Sequence, residues 1–500
     1  MHAELLLHNG KIITLNEDKP LVSSLAVVEG RILKVCNYDE VKPLIGENTK
    51  VIDLAGKTVV PGFIDSHIHL ISLGLDMQVI DLSGVTSKSE ILAKLGESAK
   101  GTPQGNWVKA CGFDESEVDV LPNREELNSM FPHNPVYLEE IHSKMCICNS
   151  LALETVDETG VIRVDEEELL YEAVNVPTLD PVDDYLRESE LELAIEIASK
   201  KVVQAGITSI HDPQLPPNAL RAFKNAVRDG KTSLRLYLGC DKNKEIELKD
   251  YIQEGIGTEP YPTKLKIGMV KLFADNRMSA PEFKKRVKEA HNAGSQLSIH
   301  ATNIQEMRNA LDALEEALEE YPREDHRHRL EHADNIDEDI LERARKLKIV
   351  VAAQPEIVYK LDPKYPKEVM KVAYRSLLNA GINVSGGSDS PTVPIKRRSM
   401  PPLAYPTPLL GMAFAVTRKT KSGAIIDGKE AVSALEALKI YTKNGAYTSF
   451  EEDVKGTLEE GKLVDLVVLS EDPLNVVPEE IGRIEVEMTI IGGKTIYSRN

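Results

Sequence analysis

Residues 59–70 read VVPGFIDSHIHL. Val59, Val60, Phe63, Ile64 and Ile68 make the stretch apolar and partly β-branched, the composition of a buried strand. Yet His67 and His69 stand two residues apart at its C-terminal end. Side chains at i and i+2 of a strand share a face. Two imidazoles therefore lie side by side where a buried strand runs out.

Downstream, strand-like runs alternate with helical ones: ITSIHDP (207–213), RLYLG (235–239), MVKLFAD (269–275), LSIHA (297–301), RLEHA (329–333), IVVAAQP (349–355) and VSGGSDS (384–390). Amphipathic helices such as EFKKRVKEAHNAG, QEMRNALDALEEALEEY and DEDILERARKLK lie between most of them, and Gly294 and Gly381 stand where C-caps belong. Alternating β and α predicts a parallel sheet. With the opening strand the count reaches eight. Eight βα units predict a closed (β/α)8 TIM-like barrel with its chemistry at the C-terminal ends of the strands.

The two chain ends have another rhythm. ELLLHNGKIITL, SLAVVEGRILKVC and TKVIDLAGKTVV open the chain, LVDLVVLSED and VEMTIIGGKTIYS close it, and Asn9-Gly10 and Glu29-Gly30 sit at hairpin positions. Neither small β piece can hold a core alone, so the two are expected to pair. The predicted class is α/β: a β-sandwich from residues 1–57 and 451–500, a barrel from 58–71 and 187–450, and an inserted cap subdomain, 72–186, after barrel strand 1. The insertion, with NWVKACGFDE and PVYLEEIHSKMCICNS, is expected to cover the barrel mouth, and its acidic stretch VDEEELLYEA reads as a solvated face.

Composition narrows the function. A chain of 500 residues, 42% hydrophobic and 28% charged, has ample material for a large core. A formal charge of −20 argues against nucleic acid and against anionic membrane surfaces as partners. No apolar run approaches a bilayer span, and the N-terminus lacks a basic region ahead of an apolar one. Five scattered cysteines fit a reducing compartment, so the expected location is cytoplasmic. Cys146 and Cys148 form a lone CxC, better read as small buried residues than as metal ligands.

The polar residues at the proposed strand ends make a set: His67 and His69 on strand one, Lys271 and then Asp275 on strand four, His300 on five, His332 on six and Asp389 on eight. Imidazoles and a carboxylate at one barrel mouth form the N/O donor set that suits zinc and related divalent ions. Read singly, each has a plainer role. A strand-end histidine is commonly a hydrogen-bonded core residue, Lys271 could pair with Asp275, and Asp389 could cap a turn.

These motifs, VVPGFIDSHIHL, VKLFAD, LSIHA, RLEHA and GGSDSP, together with the closing SALEALKIYTKNGA and GTLEEGKLVDLVVLSEDPL, resemble the amidohydrolase superfamily, and more closely the YtcJ-like branch of its amidohydrolase-3 group. The resemblance implies two divalent metal ions, the first held by His67, His69 and Asp389 and the second by His300 and His332. It also implies a CO2-derived carbamate on Lys271 bridging them. The implied activity is hydrolysis of a non-peptide C–N bond in a linear amide, N-acyl or N-formyl substrate, by a metal-bound hydroxide with Asp389 as general base. A cyclic amidase, a deaminase or a lactonase of the same superfamily stays open. A silent binding protein would be expected to have lost a ligand, and all six positions are filled.

His142 matches a position where relatives have a substrate-facing histidine, though structural hydrogen bonding fits as well. Arg277 could bind a substrate carboxylate or form a structural ion pair. Ala301-Thr302-Asn303-Ile304 and Asn276-Arg277-Met278 depart from the Gly-Asp-Arg and Gly-Ser stretches usual in relatives, so substrate choice is expected to differ. His211 is expected to face a loop, and His326 and His328, in EDHRHR, to be solvated. The expected partner is a small-molecule substrate, with a homodimer the ordinary assembly.

Overall fold

The computed structural model describes residues 2–141, 145–157, 169–171, 186–215, 217–241, 264–275, 277–360, 371–391 and 405–499. Its centre is a parallel sheet of eight strands in chain order: β1 (Phe63–Asp65), β2 (Ile207–Leu215), β3 (Arg235–Asp241), β4 (Leu265–Phe273), β5 (Gln296–Ala301), β6 (Arg329–His332), β7 (Val350–Ala353) and β8 (Val384–Gly386). The edges meet: Ser66 N donates to Gly386 O at 2.9 Å and Asp389 N to His67 O at 2.6 Å. Those bonds carry the sheet round into a nearly closed barrel, the α/β class expected of alternating β and α runs.

Helices return the chain between strands, and their ends follow local chemistry. Ser279, Asn303 and Asp337 each accept a backbone N–H of the first turn, capping Ala280–Asn292, Ile304–Glu320 and Glu338–Lys346. Gly294 and Gly381 follow helices with φ of +80° and +76°, the left-handed conformation that glycine adopts without a Cβ penalty. Apolar helix faces, such as Met307, Ala310, Leu311 and Leu314, close onto barrel residues such as Leu297 and Ile299 in one large core.

The opening stretch is divided between two sheets. Thr58–Pro61, read from sequence as the start of the barrel, pairs instead with Leu466–Leu469 and Lys11–Ile13. Only Phe63–Asp65 joins the barrel, so His67 and His69 lie just past the strand rather than within it. Gly62 is the joint, where a Cβ would strike the Thr208 side chain. A single strand cannot follow two sheets, and glycine permits the break.

Both chain ends build the remaining β-structure. A four-stranded sheet orders Arg31–Cys36, Ser24–Val28, Leu5–His8 and Lys50–Asp53. A six-stranded sheet orders Lys494–Ser498, Val486–Ile491, Leu466–Leu469, Thr58–Pro61, Lys11–Ile13 and Leu21–Val22. Leu5, Leu7, Leu25, Val27, Val59, Leu466 and Ile490 share one core. Glu29-Gly30 turns a hairpin, both residues at positive φ, whereas Asn9-Gly10 carries the chain from one sheet to the other. Between β1 and β2 lies a five-stranded sheet, Ile80–Asp81 to Leu169–Tyr171, with its own core of Leu82, Ile91, Phe113 and Leu138. Cys146 and Cys148 are buried there, and all five cysteines are free thiols.

Among the described residues no helix is long and apolar enough to cross a membrane.

Candidate metal centre

The C-terminal ends of β1, β6 and β8 bring the metal candidates together. His67 Nε2 lies 3.4 Å and His69 Nε2 3.2 Å from Asp389 Oδ1. His67, His332 and Asp389 each offer a donor atom within 4.8 Å of the others. The His332 ring sits 5.1 Å from that of His67 and 4.5 Å from that of His300, centroid to centroid. His332 thus stands with the group assigned to the first ion as well as beside His300, its expected companion at the second.

Lys271 is buried on β4, its Nζ 5.3 Å from the Phe273 ring, and its charge bears on His67, His300 and His332. Two of the donors stand on left-handed backbone, His332 at φ 74° and Asp389 at φ 51°. Such strain in non-glycine residues is characteristic of sites where side-chain direction matters more than backbone comfort.

The donor set fits a divalent cation. Zn–N and Zn–O bonds of about 2.0–2.2 Å in tetrahedral array put ligand atoms roughly 3.3–3.5 Å apart. The Nε2–Oδ1 separations of 3.2 and 3.4 Å meet that spacing.

Partners on the far side of each ring set its direction. His67 Nδ1 is 2.6 Å from Glu331 Oε2, and His332 Nδ1 is 2.9 Å from Gln354 Oε1. His69 Nδ1 faces Asp212 Oδ1 at 3.8 Å. Burial, joined by the charges of His332 and Lys271, lowers the His300 pKa to about 2. Burial likewise takes His332 to about 4 against the pull of Asp389. These two rings are neutral at pH 7, the form that binds metal. Burial also opposes charge on His69, but Asp212 and Asp389 outweigh it and raise its pKa to about 10. Burial raises Asp389, yet the surrounding histidines hold it well below the usual carboxylate range.

The other sequence candidates fall differently. His142 lies outside the described residues. Arg277 is half-exposed, 2.9 Å from Asp275 and stacked 3.8 Å from the Phe273 ring centroid. Phe273 in turn packs on His300, ring centroids 5.0 Å apart, so Arg277 stands one ring away from the donor cluster. His211 is not loop-facing: it is buried on β2, with Nδ1 3.3 Å from Arg329. His326 and His328 are buried too, not solvated, on the opposite side of the barrel. Glu331, Asp212 and Gln354 do not stand out in the sequence. The available signal was RLEH, which sets Arg329 and Glu331 on the same side of a strand that must be buried.

A sequence profile of the amidohydrolase family matches residues 50–497. The chain belongs to the amidohydrolase family. This amidohydrolase is 27% identical over 547 residues to YtcJ of Bacillus subtilis, with 99% of each chain covered. It is also 27% identical over 549 residues to an N-substituted formamide deformylase of Arthrobacter pascens, covering 99% of this chain and 98% of that one. The crystal structure of an uncharacterized metal-dependent hydrolase from Pyrococcus furiosus matches the amidohydrolase with a TM-score of 0.74 at 25% identity. That match covers 94% of this chain and all of the other.

Proposed function

We propose that this amidohydrolase is a two-metal, zinc-type hydrolase that cleaves a non-peptide C–N bond in a linear amide, N-acyl or N-formyl substrate. The observation that carries the reading is the approach of His67 Nε2 and His69 Nε2 to one oxygen of Asp389, with the His332 donor in the same space. Similarity to an N-substituted formamide deformylase supports the choice of bond.

His67, His69 and Asp389 would hold the first cation and His300 and His332 the second, the His332 ring lying 5.1 Å from that of His67 and 4.5 Å from that of His300. When bound, such ions make a water acidic enough to deprotonate near neutral pH and polarise the substrate carbonyl. Asp389 takes the proton released as that water adds, and returns it to the departing amine nitrogen. Lys271, as the free amine, adds CO2 and releases a proton to become a carbamate. Its two oxygens, sharing one negative charge, would then stand where an ammonium would repel the cations. Phe273 and Arg277 form a wall beside His300, and Arg277 binds an acidic group on the substrate. The described part of the insertion after β1 caps the mouth. A homodimer in the cytoplasm, acting on a small molecule, completes the reading.

The test is a screen of N-formyl, N-acyl, cyclic amide, aminopurine and lactone substrates with wild type and Asp389→Asn, alongside elemental analysis. Turnover of N-formyl or N-acyl compounds by wild type alone, with close to two ions per chain, is expected. Turnover confined to lactones, cyclic amides or amino-heterocycles would replace the substrate class. A protein without divalent ions would end the hydrolase reading.

A further inference from the structure

Inside the barrel, below the donor cluster, a buried charged group stands behind His67. Arg329 and Glu331 are both fully buried on β6, Arg329 Nε 2.7 Å from Glu331 Oε1 and Arg329 NH2 3.0 Å from Oε2. Ser298 Oγ donates to Glu331 Oε1 at 2.6 Å, and Arg329 NH2 also donates to Ser66 O at 2.6 Å. A buried ion pair costs desolvation energy that well-packed apolar residues would avoid. Its geometry shows what it accomplishes. Oε1 accepts from Ser298 and lies in ion-pair contact with Arg329, while Oε2 accepts from Arg329 and faces His67 Nδ1 at 2.6 Å.

Guanidinium is always charged, so its buried partner is a carboxylate and can only accept. The proton of His67 therefore sits on Nδ1, and Nε2, directed toward Asp389, carries the lone pair. Gln354 does the same for His332 with less charge. Its Nε2 donates to Ala352 O at 3.0 Å, which turns Oε1 toward His332 Nδ1 and fixes that ring in the same tautomer through a neutral amide. A negative partner behind a ligand imidazole raises its donor strength more than a neutral one does.

We infer that Glu331, fixed by Arg329 and Ser298, is a positioning residue: it locks His67 as the Nδ1–H tautomer and makes the cation held by His67 the most tightly bound of the centre. The inference rests on the metal reading above, and its test separates the two.

Metal-free protein carrying 15N-histidine reports ring tautomers directly by NMR. In wild type His67 is expected as Nδ1–H. Glu331→Leu, which keeps bulk but has no acceptor, should release it to the Nε2–H form. A wild-type His67 protonated at Nε2, or an Nδ1–H form that survives Glu331→Leu, would overturn the inference whether or not metal binds.

Competition of zinc-loaded protein with a graded series of chelators then orders the affinities. Glu331→Gln should weaken the last ion to leave by about 10–100-fold. Gln354→Glu, which adds a charge behind His332, should tighten an ion by about tenfold, a gain that misfolding cannot imitate. An unchanged last ion in Glu331→Gln, or no tightening in Gln354→Glu, would also overturn it. A wild type that binds no zinc at all would instead sink the metal reading and leave the tautomer result to judge Glu331.

Discussion

The chain contains two His-x-His sequences, His67-Ile68-His69 and His326-Arg327-His328, and they sit at opposite ends of one barrel. The first follows the C-terminal end of β1 and the second precedes the N-terminal end of β6. At the floor, every ring nitrogen has a protein partner. His326 Nε2 donates to Leu347 O at 2.8 Å and its Nδ1 accepts the His328 amide at 2.9 Å. His328 Nδ1 accepts the Leu297 amide at 3.0 Å, and its Nε2 meets His291 Nδ1 at 2.9 Å. His291 Nε2 closes the chain on Tyr321 O at 2.7 Å. At the mouth the Nδ1 atoms of His67 and His332 are taken, while the Nε2 atoms of His67 and His69 turn toward one carboxylate oxygen. Strand polarity separates the two ends: the same three-residue pattern is a ligand pair at one and a structural clasp at the other.

The largest expected contrast is in rate. Asp389→Asn should lower kcat/KM by about a thousandfold through loss of the proton carrier, while His328→Ala stays within about twofold of wild type in kcat. Steady-state kinetics on both variants checks it, and equal losses would erase the distinction between the ends.

Stability should show the reverse. His328→Ala strips partners from buried donors and acceptors and should cost about 3 kcal/mol in urea unfolding. Arg277→Met in metal-free protein, at the exposed rim of the mouth, should cost less than about 1 kcal/mol.

Acid sharpens the same contrast. Burial lowers the His326 pKa to about 4, and the rings of His328 and His291 are also depressed, mainly by burial. The unfolded chain takes up these protons near pH 6.5, the folded one only at much lower pH. The floor's contribution is therefore intact above about pH 6.5 and falls as the pH drops toward 4. Urea midpoints of metal-free protein at pH 7, 6 and 5 should decline, and His326→Gln should flatten part of that slope. An unchanged slope would mean that His326 is not the group responsible.

The smallest effect is at the rim. Arg277→Met should raise KM for a carboxylate-bearing substrate by about tenfold with kcat unchanged. Equal KM values for charged and neutral substrates in both proteins would assign Arg277 to its ion pair with Asp275 alone.

Barrel strands were legible because most apolar runs are set off by amphipathic helices, several with a capping residue, as Asn303 and Gly294 illustrate. The division of residues 58–65 between two sheets was not, since Val59, Val60, Phe63 and Ile64 are equally apolar whichever sheet they join. His326 and His328 were misread because Glu324, Asp325 and Arg327 surround them with charge. Burial there depends on Arg327 reaching Glu452 and Tyr447, distant contacts that local composition does not encode. At the mouth, His67, His69 and Asp389 follow from strand-end position. Glu331 and Gln354 act behind the donors: Glu331 meets His67 across the barrel and Gln354 meets His332 from the next strand, pairings that only the assembled barrel creates.

Anomalous diffraction at the zinc edge from crystals grown without chelator tests the central claim most directly. We expect density at the mouth within about 2.3 Å of His67 Nε2, His69 Nε2 and an Asp389 oxygen, and none at His291, His326 or His328. A peak among the floor histidines, or a mouth with no peak in protein that retains zinc, would contradict it.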